Sequence, residues 1–564
     1  MIPALILGFN SRAASFQVWT SAKTEHVLRS ETLPEPSAVK LAAARNEWES
    51  FQILVRADEP MTIHSVDVGN LKNSNGAILE KRHARVYREH QLFVETGSYR
   101  NTAFKKDWYP DALIPADAPE AAPDGAKPNL RALPFALAAN ETHAFWIDLY
   151  IPPDSLPGVY HGTCLLTADR FVKEIPIELT IWNFALPSTP ALQTAFGSPA
   201  PRLRDYLRRV NPLVAPQIQA TRETEARIAQ LLSEHRLNAT PPPELLRPVL
   251  QADGSFKIPL EQVQKLREFI DRYHVNALET PHPSSAIRDP EVDRDKFGAW
   301  LAAFDAAATE LQRPHVMFFT YLKDEPNTEA DYRYVQKWGR AIRDARSVVK
   351  VLVVEQPWTA PGQGGADSAW GDLFGAVDIW CPLFSLHRPD KAAERQALGE
   401  IVWTYTALCQ GPPTPWWQID FPLLNYRVPA WMAWGDHMRG LLYWGGLSYW
   451  GKTNDPWIHA PFYSGNGEFQ QGKKGIVFNG EGSLVYPARE LGLDGVVPTI
   501  RLKALRDGIE DYEYLALLER IGKRAEAEKI VRGLAESFFK WNPDPAAYEK
   551  ARVQLARLID SSRD

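Results

Sequence analysis

The segment His315–Asn327 (HVMFFTYLKDEPN) constrains the fold of this chain more than any other. Its apolar and aromatic run, Val316–Phe319, predicts a strand covered on both faces, as strands of parallel sheets are. The run leads to two adjacent carboxylates, Asp324 and Glu325, and then to Pro326. Proline lacks a backbone N–H and disfavours helix for the residue before it. We therefore predict a parallel strand that ends at an acid pair.

The alternative interpretation is that the acid pair begins a helix. Thr328 with Asp331 fits an N-cap, and acidic residues favour that end of a helix. We prefer the strand, because acids that follow a parallel strand lie where α/β barrels have their active sites.

Short alternating runs between turn residues extend from 16 to 186. Because no helical period interrupts them, we predict an N-terminal antiparallel β-sandwich. Within it, the polar and proline-rich stretch Tyr99–Pro134 is long for a loop. We expect this stretch to reach the neighbouring domain.

From 187 to 521, strand patterns alternate with helical patterns. The strands are predicted to begin near Leu192, Leu237, Ala277, His315, Lys350, Asp378, Ile401 and Gly440, and helices to lie at Glu223–Glu234, Leu260–Arg272, Lys296–Leu311, Ala330–Ala345 and Arg501–Arg520. Eight strands with helices between them predict a (β/α)8 barrel of the TIM type, and the acid pair would end its fourth strand. Residues 522–564 are predicted to form a C-terminal helical segment.

The N-terminal residues 1–15 resemble a truncated signal segment. Ile2–Phe9 is apolar and Ala13–Ser15 offers small residues for cleavage, but no basic residues precede them. Two locations stay open, secreted or periplasmic if this segment directs export and cytoplasmic otherwise. No later stretch approaches about 20 uninterrupted apolar residues, so we predict no membrane span.

Composition disfavours several partners and cofactors. The net charge of −6 includes no basic stripe, so we expect no nucleic acid partner. The 3 cysteines and 13 histidines show no ligand spacing, and the chain lacks H-E-x-x-H and G-x-S-x-G motifs. We therefore expect neither a metal nor another cofactor.

Two carboxylates at one strand end are typical of glycoside hydrolysis, in which one group donates a proton and another stabilises or attacks the anomeric centre. Neighbours on one strand project from the same side of the sugar, which disfavours a plain nucleophile-and-acid pair. A better assignment makes Glu325 the proton donor and lets Asp324 hold a 2-acetamido group. The carbonyl oxygen of that group would attack the anomeric carbon and close an oxazoline ring, and Asp324 would stabilise the developing charge.

Several motifs together resemble glycoside hydrolase family 123, bacterial β-N-acetylgalactosaminidases with a β-sandwich and a (β/α)8 barrel. The motifs are Tyr321–Pro326, the aromatic block Ala430–Trp450, Gly482–Pro487, Ile500–Leu502, Leu505–Glu513 and, more weakly, Leu156–Tyr160. The resemblance implies that Asp324 orients the acetamido group and that Glu325 is the general acid and base.

Further candidates for substrate binding follow the last strands. Trp403 and Tyr405 lie on strand seven, and we hold a ligand contact and a core position for Tyr405 to be equally supported. Trp444, before two glycines on strand eight, would form a wall under the sugar. Asp420 and Arg427 are candidates for sugar hydroxyls, although an ion pair that ties down a loop is the stronger interpretation.

Arg506 and Glu510 lie at i, i+4 spacing with Asp511 beside them. We assign this group to fold stability rather than catalysis.

The sequence predicts an exo-acting glycosidase that releases terminal β-linked N-acetylgalactosamine with retention, so its partner would be a glycan. A β-N-acetylhexosaminidase that also accepts N-acetylglucosamine is one alternative. A non-catalytic carbohydrate-binding protein on the same fold is another, disfavoured by the intact acid pair. The sequence makes no prediction of oligomeric state.

Overall fold

The computed structural model describes residues 15–32, 39–119, 128–210, 222–358, 367–368, 371–408, 410–411, 413–450, 455–460, 462–464 and 476–562. Apart from Ser15, the predicted signal segment lies outside these residues.

The N-terminal part is built from strands in two sheets. They are β1 (Phe16–Ala22), β2 (Val39–Arg45), β3 (Glu47–Ala57), β4 (Met61–Val68), β5 (Leu71–Asn73), β6 (Ile78–Leu79), β7 (Ala84–Val94), β8 (Asp107–Pro115), β9 (Phe135–Leu137), β10 (His143–Ile151), β11 (Gly158–Ala168) and β12 (Phe171–Ala185). The first sheet has the order β1-β3-β10-β7-β8, and the second has β2-β12-β11-β4-β9, with β5 paired to β11 and β6 paired to β5. The strand pairs are antiparallel except that β2 runs parallel to β12, so the predicted sandwich is not purely antiparallel.

Side-chain alternation along β10 explains why both faces of the first sheet are buried. Phe145 and Ile147 point into the apolar core between the two sheets. Trp146 and Asp148 point to the opposite face, where Trp146 joins the large core of the C-terminal part. The first sheet therefore has an apolar layer on each side.

The C-terminal part is centred on a parallel sheet. The strands that follow the sandwich are β13 (Gln193–Ala195), β14 (Val249–Leu250), β15 (Phe256–Lys257), β16 (Ala277–Glu279), β17 (Met317–Asp324), β18 (Lys350–Val354), β19 (Asp367–Ser368), β20 (Gly371–Asp372), β21 (Ile379–Trp380), β22 (Ile401–Thr406), β23 (Gly440–Tyr443), β24 (Phe462–Ser464), β25 (Val477–Asn479), β26 (Val485–Pro487), β27 (Val496–Pro498), β28 (Ala535–Ser537) and β29 (Lys540–Trp541). Seven of them form the parallel order β13-β23-β22-β21-β18-β17-β16. The others described form two-stranded pairs.

The barrel is nearly closed by seven strands in the described residues, and the strand predicted near Leu237 does not form. The chain there enters Pro241–Pro243, which have no N–H groups for a ladder. Asn238 instead bridges the gap with its side chain. Its Nδ2 donates to the carbonyl oxygen of Thr194 at 2.9 Å, and its Oδ1 accepts from the backbone N–H of Asn276 at 2.9 Å.

The described helices surround the barrel and extend beyond it. They are α1 (Ala200–Val210), α2 (Arg222–Glu234), α3 (Leu260–Tyr273), α4 (Arg294–Leu311), α5 (Glu329–Asp344), α6 (Pro389–Gln396), α7 (Leu424–Gly435), α8 (Ile500–Arg520), α9 (Arg524–Leu534) and α10 (Pro545–Asp560). The five helices predicted between 223 and 520 are present within a few residues. The terminal segment is interrupted by the hairpin β28–β29. The domain boundaries after 186 and after 521 stay predictions.

Helix α8 is buried along most of its length, including its charged residues from Arg501 to Glu513. It packs closely on α7, because a Cβ at Gly508 would lie only 2.5 Å from the carbonyl oxygen of Arg427. It also packs on the first sheet of the sandwich, where Arg506 contacts Asp148. None of the described helices has the length and apolar character needed to cross a membrane.

Candidate active site

A cavity of about 430 Å³ opens at the carboxyl ends of the barrel strands. Its walls include Glu279, Tyr321, Asp324, Glu325, Tyr405 and Trp444. These residues belong to the ends of β16, β17, β22 and β23, or directly follow them. Carboxyl strand ends are where parallel barrels hold their active sites.

Two tyrosines lie at the mouth of this cavity because side chains alternate in direction along β17 and β22. The rings of Phe319 and Trp403 meet inside the barrel, with centroids 5.3 Å apart and planes at 65°. Tyr321 and Tyr405 come two residues later on β17 and β22, so they point the same way one layer higher. Both tyrosines line the cavity.

Asp324 is the last residue of β17 and is exposed to the cavity. The hydroxyl of Tyr321 donates a hydrogen bond to its Oδ1 at 2.9 Å. Burial, reinforced by the negative charge of Asp324, raises the pKa of Tyr321 well above its usual range. The phenol therefore stays protonated and serves as a donor to the carboxylate.

Glu325 follows the strand in a left-handed backbone conformation, with φ of 37°. Such a conformation is uncommon for a residue with a side chain and concentrates at functional sites. The side-chain amide of Asn327 donates to the carbonyl oxygen of Glu325 at 2.7 Å and helps to hold it.

The carboxyl group of Glu325 is half-buried and accepts a hydrogen bond from the hydroxyl of Tyr405. Burial raises the pKa of Glu325, the Tyr405 hydrogen bond opposes that shift, and the charge of Asp324 adds to it. Glu355, buried after β18, lies close enough for Glu325 to raise its pKa further, although burial is the main cause of its value of about 7. The net effect on Glu325 favours the protonated acid.

The helix that follows the acid pair begins at Glu329. Thr328 is its N-cap and accepts from the N–H of Asp331 at 3.2 Å. Thr328 is thus the N-cap that its spacing to Asp331 predicts. The acid pair lies before this cap, where it ends a strand paired with β16 and β18. The helix-start interpretation of the pair is therefore wrong.

Trp444 lines the cavity, as the sequence predicted. Its indole Nε1 donates to the buried carboxylate of Glu481 at 2.8 Å. Tyr405 also lines the cavity, and its hydroxyl donates a hydrogen bond to Glu325.

Three predicted substrate contacts lie elsewhere. Trp403 is fully buried inside the barrel below Tyr405, so no ligand reaches it. Asp420 is buried and accepts from the N–H of Ser98 at 2.7 Å. This bond anchors the start of the stretch Tyr99–Pro134. Arg427 is buried in α7 against Asp511 at 2.6 Å. Asp420 and Arg427 thus stabilise the fold, each with a distant partner rather than with one another.

Sequence reasoning missed Glu279 and Tyr321 as pocket residues. Glu279 ends a strand of only three residues, which gives a weak pattern. The available signal for Glu279 was side-chain alternation. Ala277 lies in the barrel interior, and a residue two positions later on the same strand points the same way.

Among the described residues, no group of three or more His, Cys, Asp or Glu side chains is arranged to hold a metal ion.

A parallel barrel with a carboxylate-lined pocket at its carboxyl strand ends defines a class, the barrel enzymes that use paired acids. The family follows from sequence. A family model described as glycoside hydrolase 123, catalytic domain, matches residues 298–518, and one described as glycoside hydrolase 123 N-terminal domain matches residues 19–168. The chain belongs to glycoside hydrolase family 123.

One solved structure shares the fold over nearly the whole chain. A family 123 glycoside hydrolase from Clostridium perfringens aligns over 97% of this chain and 97% of its own, with a TM-score of 0.64 and 14% identity. An endo-beta-1,4-mannanase from Thermotoga petrophila covers 46% of this chain and 65% of its own, at a TM-score of 0.24 and 11% identity. No curated protein matches the chain.

Proposed function

We propose that this glycoside hydrolase is an exo-acting β-N-acetylgalactosaminidase that works with retention through an oxazoline intermediate. The observation that carries the proposal is the adjacency of Asp324 and Glu325 at one strand end, inside the cavity. Ordinary retaining enzymes place two carboxyl groups about 5 Å apart on opposite sides of the bond. Two neighbours in sequence suit a substrate that brings its own nucleophile.

In the proposed first step, Glu325 gives its proton to the glycosidic oxygen as the bond to the anomeric carbon breaks. The carbonyl oxygen of the 2-acetamido group bonds to that carbon and forms a cyclic oxazolinium ion. Asp324 accepts the amide N–H and stabilises the positive charge. Glu325, now a carboxylate, then takes a proton from the water that opens the ring.

The residues around the pair support these roles. The raised pKa of Glu325, caused mainly by burial, favours an acid that is protonated before the reaction. The Tyr321 hydroxyl orients the Asp324 carboxylate. Trp444 offers a flat ring for the apolar face of a sugar.

The second candidate is an ordinary double-displacement glycosidase. Glu279 favours it, because this third carboxylate lines the same cavity and would serve as the nucleophile.

Hydrolysis assays of the purified protein with aryl glycosides of the candidate sugars distinguish these functions. We expect cleavage of an aryl 2-acetamido-2-deoxy-β-galactoside, negligible turnover of the aryl β-galactoside with a plain 2-hydroxyl, and strong inhibition by a thiazoline analogue of the oxazoline. A matched aryl β-N-acetylglucosaminide tests the broader hexosaminidase specificity. Turnover of the 2-hydroxyl substrate, with a 2-fluoro sugar trapped covalently on Glu279 or another carboxylate, would support double displacement instead.

A further inference from the structure

A buried carboxylate that the proposed mechanism does not use lies behind the pocket wall. Glu481 is 1% exposed. Its Oε1 accepts from Trp444 Nε1 at 2.8 Å and from the Tyr443 hydroxyl at 3.3 Å. Its Oε2 accepts from the side-chain amide of Gln418. Three donors from two segments therefore converge on one carboxylate.

The turn that carries Glu481 fixes where this carboxylate points. Gly480 and Gly482 flank it with φ of 75° and 72°, values that favour glycine. A Cβ at Gly480 would lie 2.6 Å from the side chain of Ile419, and one at Gly482 would lie 3.2 Å from the ring of Trp444. The N–H of Gly482 also donates to the Tyr443 hydroxyl at 2.7 Å, which aims that hydroxyl at Glu481. The turn and the wall thus fit together closely.

The hydrogen bond to Glu481 acts on the one polar group that an indole has. Rotation of the ring about its bond to Cβ changes which face the pocket sees, and the N–H direction fixes that rotation. The backbone after Trp444 adds no side-chain bulk to hold the ring, because Gly445 and Gly446 follow it. The ring also packs against the ring of Tyr449, with centroids 5.0 Å apart, and against Gly482. The hydrogen bond from its nitrogen selects the rotation of the ring within this packing.

We propose that Glu481 is a positioning residue that holds the ring of Trp444 in the plane needed to pack against the sugar. The inference rests on the proposed function, since it takes a saccharide as the occupant of the cavity. Burial raises the pKa of Glu481 to about 7, and its carboxyl group can accept the indole hydrogen bond in either protonation state. The guanidinium of Arg501, which donates to the carbonyl oxygen of Gly480 at 3.1 Å, brings a positive charge close to that acceptor.

Variants on both sides of the hydrogen bond test the proposal. Glu481→Leu removes the acceptor, Trp444→Phe removes the donor but keeps a flat ring, and Glu481→Gln keeps an acceptor oxygen. We expect each of the first two to raise KM for an aryl 2-acetamido-2-deoxy-β-galactoside roughly tenfold, the loss of one hydrogen bond. The double variant should be no worse than the poorer single one, because both changes break one interaction. Glu481→Gln should restore most of the wild-type KM.

Trp450→Phe is the matched control. Its indole Nε1 also donates at 2.8 Å, to the carbonyl oxygen of Val485, but this ring lies outside the pocket. We expect Trp450→Phe to lower the melting temperature and leave KM unchanged. An equal rise in KM for the control would mean that loss of any buried indole hydrogen bond disturbs the site, and would overturn the proposal.

A crystal structure of Glu481→Leu gives a readout that does not depend on turnover. The ring of Trp444 should be rotated relative to the wild type, even if the wild type cleaves none of the aryl glycosides and the proposed function fails. An unrotated ring, or KM effects that multiply in the double variant, would overturn the positioning role. If Glu481→Leu does not fold, Trp444→Phe decides, and an unchanged KM in that variant overturns the role.

Discussion

Neighbouring carboxylates in this pocket differ in their surroundings. Asp324 is exposed and takes a hydrogen bond from Tyr321. Glu325 is half-buried, and burial with the neighbouring charge raises its pKa. In the proposed mechanism this difference suits Glu325 to proton donation and Asp324 to charge stabilisation. The proposal therefore rests on burial and hydrogen bonds rather than on residue type.

The loss of activity in Glu325→Gln should depend on the leaving group if Glu325 is the general acid. The amide cannot donate the required proton, so we expect hydrolysis of a natural glycan to fall by about 10²–10⁴. An aryl substrate with a good leaving group needs little protonation and should lose far less. The measurement is kcat/KM for both substrates.

Glu279→Gln is the control for that series, because it neutralises another carboxylate of the same cavity. Its losses should be similar on both substrates. If Glu325→Gln also lost the same factor on both, the acid role would have to be reassigned.

Tyr405→Phe should shift the pH dependence. The Tyr405 hydroxyl donates to the Glu325 carboxylate, which favours the charged form and lowers the pKa. Its removal should raise the pKa of Glu325 and keep the acid protonated to higher pH, so the basic limb of kcat/KM should move upward. Tyr321→Phe, which removes the hydroxyl from Asp324, should leave that limb in place. If the basic limb of kcat/KM did not move in Tyr405→Phe, the Tyr405 hydroxyl would not influence the pKa of the acid.

At this scale the sequence predicted residues whose setting is local. The sequence places the acid pair at a strand end because the apolar run and the proline adjoin it, and it places Trp444 in the pocket wall because two glycines follow it. For Asp420 and Arg427 the preferred interpretation, an ion pair that ties down a loop, gives the wrong partners, because Ser98 and Asp511 are distant in sequence. No local pattern reports such contacts.

At the scale of elements, apolar periodicity predicted the helices and most barrel strands, and it failed where side chains replace the backbone ladder. Leu237 begins a short apolar pattern, but prolines follow it, and the side chain of Asn238 links Thr194 of β13 to Asn276, the residue before β16. An apolar run alone does not distinguish a paired strand from an extended segment. Barrel closure at this position depends on an amide.

Asn238→Ala should therefore weaken the barrel seam. The change leaves the carbonyl oxygen of Thr194 and the N–H of Asn276 without this partner, and we expect the free energy of unfolding to fall by about 2 kcal/mol. Denaturant unfolding measures the loss. Asn75→Ala, in an exposed turn, is the control and should change stability little. Equal values for the two variants would show that the seam does not need the amide.

At the scale of the whole molecule, helix α8 joins the sandwich to the barrel through buried charges. Asp148 on β10 accepts from Lys503 at 2.7 Å and from Arg506 at 2.9 and 2.7 Å. Asp111 on β8 accepts from Arg501 at 2.6 and 2.9 Å. The sequence predicts that Arg506 serves stability together with Glu510, whereas the structure pairs Arg506 with Asp148 of the sandwich. Spacing within one helix does not reveal a partner elsewhere.

Asp148→Asn should destabilise the whole protein, because it leaves two buried cations without their counter-charge. Breaking a buried pair in this way costs about 3–5 kcal/mol. The two cations hold the pKa of Asp148 well below its usual range against the effect of burial. Its contribution is therefore present above the ordinary aspartate pKa of about 3.9 and is lost as the pH falls through the folded-state value. The free energies of unfolding of wild type and variant should differ by a constant amount between pH 5 and 7, about the range where Asp148 is charged in the folded and unfolded states, and should converge in acid.

Asp271→Asn provides the matched control, since Asp271 also takes two hydrogen bonds from one arginine, Arg313, at 2.7 and 2.6 Å, but at the surface. Water screens that pair, so its loss should matter little. If the two variants lost equal stability, burial of the charges between sandwich and barrel would not be what joins them.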